Sequence, residues 1–149
     1  MPGFFTQGFP VPAPIPPTAI IPADVPGIGG SPPQQIGISI LALGLGLGPY
    51  VALTDAALIV TDLSLGSNFS VTLGGNRTLS NPIGTAYVGA TYRWRITQDG
   101  TGSRTLAYGT QFKFPGGAPT LTTTAGATDV ITAVWNGTTY DASIAKAFA

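Results

Sequence analysis

Six aspartates, Asp24, Asp55, Asp62, Asp99, Asp129 and Asp141, are the only acidic side chains, and cysteine, histidine and glutamate do not occur. That inventory restricts the chemistry at once. Thiol nucleophiles, thiolate or imidazole zinc sites and every catalytic triad built on a histidine base are excluded. What remains for hydrolysis is a pair of aspartates, the arrangement glycosidases use. Asp55 and Asp62 bracket a strand-like stretch from Ala57 to Thr61, and an extended backbone would hold those two carboxyls most of a strand length apart. No catalytic, cofactor-binding or metal residue is therefore expected, and the chain reads as a protein that is not an enzyme.

The other polar candidates have simple readings. Asp99-Gly100-Thr101-Gly102-Ser103 offers oxygens but not the several carboxylates a calcium loop gathers, so it reads as a tight turn. Asn68-Phe-Ser, Asn76-Arg-Thr and Asn136-Gly-Thr match the glycosylation acceptor pattern, but two of these asparagines stand where turns are expected. Arg93 and Arg95 share one face of an alternating segment and could meet acidic groups of a neighbouring subunit. A solvated edge, or pairing with the chain's own Asp129 or Asp141, explains them equally well. Trp135, Tyr140 and Tyr108 could stack on a carbohydrate if exposed, whereas Tyr92, Trp94 and Trp135 read more naturally as core.

The elements that would position these residues fall into two unlike parts. Residues 1–35 form an arm containing Pro2, Pro10, Pro12, Pro14, Pro16, Pro17, Pro22, Pro26, Pro32 and Pro33, with Asp24 its only charge. Proline has no amide donor and a fixed φ, so neither a helix nor a central strand is expected here. Extended backbone at about 3.1 Å per residue would let the arm reach on the order of 100 Å. A body of the remaining size has a radius of gyration of only roughly 13 Å. Ordering costs about 1–2 kcal/mol per residue, more than one small body is expected to offset over the whole arm. The arm is therefore expected to grip other subunits through Phe4, Phe5, Phe9, Ile15, Ile20 and Ile21.

Residues 36–149 change character to alternating apolar and Thr/Ser positions broken by Gly, Asn and Asp, the pattern of short strands and turns. Phe69, Val71 and Leu73 fall on one face, with Gly74-Gly75-Asn76 turning the chain into Arg77–Leu79. Tyr92, Trp94 and Ile96 face inward, and the Asp99 turn is expected to return the chain as a hairpin through Arg104 to Tyr108. Asp129 to Trp135 is apolar on both faces, as for a strand covered on both sides. Asn136-Gly137 would supply the two positive-φ positions of a type I′ hairpin, with Tyr140, Ala142 and Ile144 inward. Seven to nine strands at this spacing predict an all-β fold, an antiparallel β-sandwich or jelly-roll-like domain behind the proline-rich arm. Residues 36–56 are less regular. The Leu-Gly alternation there suits either a first strand or an intersubunit contact.

Composition bounds the partners. Charged residues make up 8% of the chain against roughly 25% in an ordinary domain, so the surface must be largely neutral. The net charge is zero and the six basic residues are scattered, which gives no footprint for nucleic acid. The N-terminal text does not read as a secretory leader. The longest apolar run, Ile36 to Leu47, is glycine-broken and short of the roughly 20 residues that span a bilayer, so no membrane partner is expected.

The phrases Phe69-Ser-Val-Thr-Leu-Gly-Gly-Asn-Arg-Thr-Leu-Ser-Asn-Pro82, Tyr92-Arg-Trp-Arg-Ile-Thr-Gln-Asp-Gly-Thr-Gly-Ser-Arg-Thr-Leu106, Phe112-Lys-Phe-Pro-Gly-Gly117 and Asp129-Val-Ile131 occur in that order. Together they resemble a β-domain recurrent at the C-termini of tailed-bacteriophage virion proteins, over about Ala57 to Phe148. Such domains occur on head decorations, fibres and tail parts. The resemblance implies a structural virion protein without catalytic residues, in which the glycines and Asn76 set turns and Trp94 and Phe69 fill the core. The expected role is a capsid decoration or cement protein on the outer surface of the head. It would be a homo-oligomer, with a trimer favoured, whose arm clamps the major capsid protein or other virion proteins. A tail, baseplate or fibre component, or a module binding a carbohydrate receptor, is the alternative.

Overall fold

The computed structural model describes residues 48–148. The proposed arm anchors Phe4, Phe5, Phe9, Ile15, Ile20 and Ile21, and the Leu-Gly run up to Leu47, lie outside the described residues.

Nine strands and no helix make up the described chain: β1 (Val51–Ala52), β2 (Leu58–Ile59), β3 (Asn68–Leu73), β4 (Arg77–Leu79), β5 (Thr91–Gln98), β6 (Leu106–Tyr108), β7 (Phe112–Lys113), β8 (Thr128–Trp135) and β9 (Tyr140–Phe148). They form a large sheet in the order β1-β3-β5-β8-β9-β7 and a small sheet in the order β2-β4-β6. The all-β expectation holds.

The purely antiparallel expectation does not. From β1 to β6 the chain alternates between the sheets, so β1, β3 and β5 run parallel in one and β2, β4 and β6 run parallel in the other. These are three short solenoid windings, each strand contacting the equivalent strand of the next. Antiparallel pairing begins only where β5 meets β8 and β8 meets β9, and β7 then joins β9 in parallel.

Neither expected early hairpin forms, because stepping to the second layer buries more. Folded back on β3, the segment Arg77–Leu79 would set one apolar residue against Phe69, Val71 and Leu73. Crossing over instead puts Leu79 in the core and leaves the edge of β3 to β5, where Phe69 pairs with Trp94 and Val71 with Ile96. The Asp99 turn likewise carries the chain from β5 across to β6.

Two inward ladders result. The large sheet stacks Val51, Phe69, Trp94, Ile131 and Ile144 in register. The small sheet faces it with Ile59, Leu79 and Tyr108. Phe69, Trp94, Ile131, Ile59 and Leu79 are wholly buried, and each such side chain contributes about 1.5–3 kcal/mol of transfer free energy. Rings fill the middle: Phe69 stacks on Trp94 at 5.9 Å, and Phe112 and Tyr140 meet Trp94 edge-on at 5.3 and 6.2 Å.

Two local expectations also change. The outer face of β8 is not covered by any described element; Val130 and Thr132 are half-buried and Val134 is exposed. The β8–β9 hairpin forms as expected, but around a four-residue loop closed by the Trp135–Tyr140 pair. Only Gly137 has positive φ there. Asn136 acts through its side chain, whose Oδ1 accepts the amides of Thr138 and Thr139 at 3.0 and 2.9 Å.

Candidate binding surfaces

The aspartates are dispersed and mostly occupied. Asp55 pairs with Arg77 (Nε to Oδ1, 2.7 Å) and accepts the Gly74 amide, and the Arg77 hydrogen bonds hold its carboxyl below the ordinary range. Asp99 accepts Arg104 in a fork and the amides of Thr101 and Gly102. Those contacts, Arg104 foremost, lower its pKa to about 2. Asp99–Ser103 is thus the expected tight turn, closed by its own arginine. Asp62 caps Ser64, taking both its amide and its hydroxyl. Asp129 is buried and accepts the amide and hydroxyl of Thr122 and the amide of Ala147. Among the described residues no three acidic, imidazole or thiol ligands gather.

The three acceptor asparagines are engaged as well. Asn68 is buried and donates Nδ2 to the Gly48 carbonyl at 3.1 Å. Asn76 Oδ1 accepts the Thr105 amide, and Asn136 Nδ2 donates to Thr139 and Asp141.

Of the expected stacking platforms, Tyr140 is buried, with Trp135 against it at 4.6 Å, and Tyr108 packs on Phe114 at 4.7 Å. Burial raises the pKa of both Tyr108 and Tyr140 to about 12. Tyr140 is thereby closed to a sugar, whereas Trp135 and Tyr108 are half-buried.

Arg93 and Arg95 do lie on the outer face of the large sheet, as the alternation of β5 requires. Pairing with Asp129 is corrected, because Asp129 points into the protein and is held by Thr122. Asp141 accepts a hydrogen bond from Asn136 Nδ2. The two arginines are not equivalent. Arg93 stands level with Asn68 and Thr132. Arg95 stands in the row Ala52–Ser70–Arg95–Val130 and borders a shallow groove of about 320 Å³. Tyr50, 47% exposed, stands on that groove, with Ser70, Thr72 and Thr97 supplying hydroxyls. An aromatic face, three hydroxyls and a guanidinium can hold a polar, ring-containing ligand by stacking and hydrogen bonding. Sequence reasoning missed Tyr50. Its only signal was its place beside Pro49, just before the first strand.

Residues 59–140, more than half of the chain, match the family model described as "Putative phage tail fibre C-terminal domain". No curated protein and no solved structure matches the chain.

Proposed function

The chain belongs to the family of phage tail fibre C-terminal domains and is a structural protein of the phage virion, and from that premise we propose that it serves on the tail as a non-catalytic part of a fibre or baseplate. The observation that carries this reading is the span of the match. It begins in β2 and ends at the first residue of β9, taking in nearly all of the two-layer core. Residues 1–35 would then dock into neighbouring virion proteins, and the β-domain would be displayed, in several copies, to the outside. Repeated weak contacts sum by multivalency in such an array. The head-decoration role expected from the sequence shares the virion class with this reading, but the family description favours the tail.

The outward groove at Tyr50 and Arg95 favours a further role for the displayed domain, contact with a host-surface glycan. The largely uncharged surface suits a neutral, hydroxyl-rich partner.

Electron microscopy of particles labelled with an antibody to the β-domain tests the address. Label on the tail is expected, and label spread over the head would overturn the proposal in favour of decoration.

A further inference from the structure

The outer face of the large sheet sets four polar side chains in a block. Ser70 stands level with Arg95, and Thr72 level with Thr97, in the parallel pair of β3 and β5. Neighbouring strands lie about 4.8 Å apart and alternate residues of one strand about 6.6 Å apart, so the block has roughly the footprint of one sugar ring. Tyr50 stands on the same groove, and Ala52, level with Ser70, adds only a methyl group there.

Hydrogen bonding within the block is incomplete. Thr97 Oγ1 meets Thr128 Oγ1 at 3.0 Å. Among the described residues, the hydroxyls of Ser70 and Thr72 and the guanidinium of Arg95 have no hydrogen-bond or ion-pair partner. Arg95 differs in this from Arg77 and Arg104, which are paired with Asp55 and Asp99. Of the described residues that line the groove, none is acidic and none besides Arg95 is cationic. A guanidinium presents parallel N–H groups in one plane, which fit the two oxygens of a carboxylate better than the single oxygen of an alcohol. One positive charge also balances one negative charge, whereas a phosphate monoester, at about −1.5 to −2, would call for a second cation.

On the premise of the glycan contact put forward above, we propose that this groove selects a sugar that carries a carboxylate, as a uronic acid does. Arg95 forks the carboxylate, Tyr50 stacks on the ring, and Ser70 and Thr72 bond its hydroxyls. The remainder of that saccharide is neutral and hydroxyl-rich, in keeping with the low charge of the chain.

A matched pair of probes tests it on the full-length chain: an oligosaccharide containing glucuronate, and the same oligosaccharide after its carboxylates are reduced to alcohols. Titration followed by NMR reads both the affinity and the residues that respond. The acidic probe is expected to bind about 5-fold more tightly, the scale of one solvent-exposed ion pair, with shifts at Tyr50, Ser70, Thr72 and Arg95. Added salt should narrow that gap. Arg95→Gln should abolish the preference and leave binding of the reduced probe unchanged, while Arg95→Lys, which keeps the charge but not the fork, should retain only part of it. Lys113→Gln removes a charge at the far edge of the sheet and should change nothing. Equal binding of the two probes at the groove, or an equal loss with Lys113→Gln, overturns the selection of a carboxylate but leaves the glycan contact standing. Tighter binding of a phosphorylated oligosaccharide overturns it in favour of phosphate. No binding of any probe at the groove overturns the glycan contact as well.

Discussion

The indole of Trp94, in the large sheet, donates its Nε1 hydrogen to the hydroxyl of Thr61, 2.9 Å away in the segment that leaves the small sheet, and both residues are wholly buried. This bond ties the two layers at the centre of the ring cluster. It also satisfies the one polar atom that a buried tryptophan brings with it.

Trp94→Ala is expected to cost about 3–5 kcal/mol, because it empties the site that Phe69, Phe112 and Tyr140 surround. Trp94→Phe leaves the Thr61 hydroxyl buried without its donor, at about 1–3 kcal/mol. Thr61→Val added to Trp94→Phe should then recover part of that loss. Urea unfolding of the single and double variants measures it, and strictly additive losses would show that the two residues do not interact.

Gly102 has φ of +73°, and a Cβ there would stand 2.5 Å from the Thr123 carbonyl oxygen and 2.8 Å from the Ala125 amide nitrogen. Gly116 has a similar φ, +77°, with open space around it. Gly116→Ala therefore carries only the cost of left-handed backbone, about 1–2 kcal/mol. Gly102→Ala adds a clash with main chain and should lower the melting temperature further. Equal melting temperatures would mean that residues 123–125 simply move aside.

Acid should weaken the fold through Asp99. Its folded pKa lies at about 2, below the ordinary 3.8. The stabilisation is fully present above the ordinary value and is lost as pH falls from there toward about 2. Asp99→Asn is expected to flatten that part of the stability–pH curve, and an unchanged slope would assign the acid sensitivity to other carboxylates. At the alkaline end Tyr108 and Tyr140 have raised pKa values, so their contribution holds below the ordinary value of 10 and is lost as pH climbs toward about 12.

Tyr50→Ala and Arg95→Ala change outward side chains and should alter stability by no more than about 0.5 kcal/mol. If the groove contacts the host, particles carrying either variant should adsorb several-fold less well. Unaltered adsorption with both variants incorporated would remove the groove from the host contact.

Deletion of residues 1–35 should leave the thermal transition of the β-domain in place while abolishing incorporation of the protein into particles. Western blotting of purified particles reads the outcome. Normal incorporation of the shortened chain would refute the anchoring role.

Where facing was set by local alternation, it could be read from the residues. In β5, Tyr92, Trp94 and Ile96 alternate with Arg93, Arg95 and Thr97, and the structure buries the first set and turns the second outward. The β8–β9 hairpin was legible because Asn136-Gly137 marks a reversal within a few residues. Its detail was not, since an asparagine side chain can supply by hydrogen bonding what a second positive φ would otherwise supply. The parallel partnership of β3 with β5 was illegible. It depends on Phe69 meeting Trp94 across an intervening strand of the other sheet, and no local pattern encodes that meeting. The groove was half legible: Arg95 was named from its face, but Tyr50 joins it only because β1 lies beside β3.

The order of residues alone thus determined an all-β body of low charge, lacking cysteine, histidine and glutamate, together with the inward sets of β3, β5 and β9, since side-chain alternation and acid–base inventory are local properties. Which strands became neighbours was decided only in three dimensions. Hydrogen-bond ladders can close in parallel or antiparallel with nearly the same local text, and the packing observed is the one that gathers Phe69, Tyr92, Phe112 and Tyr140 around Trp94.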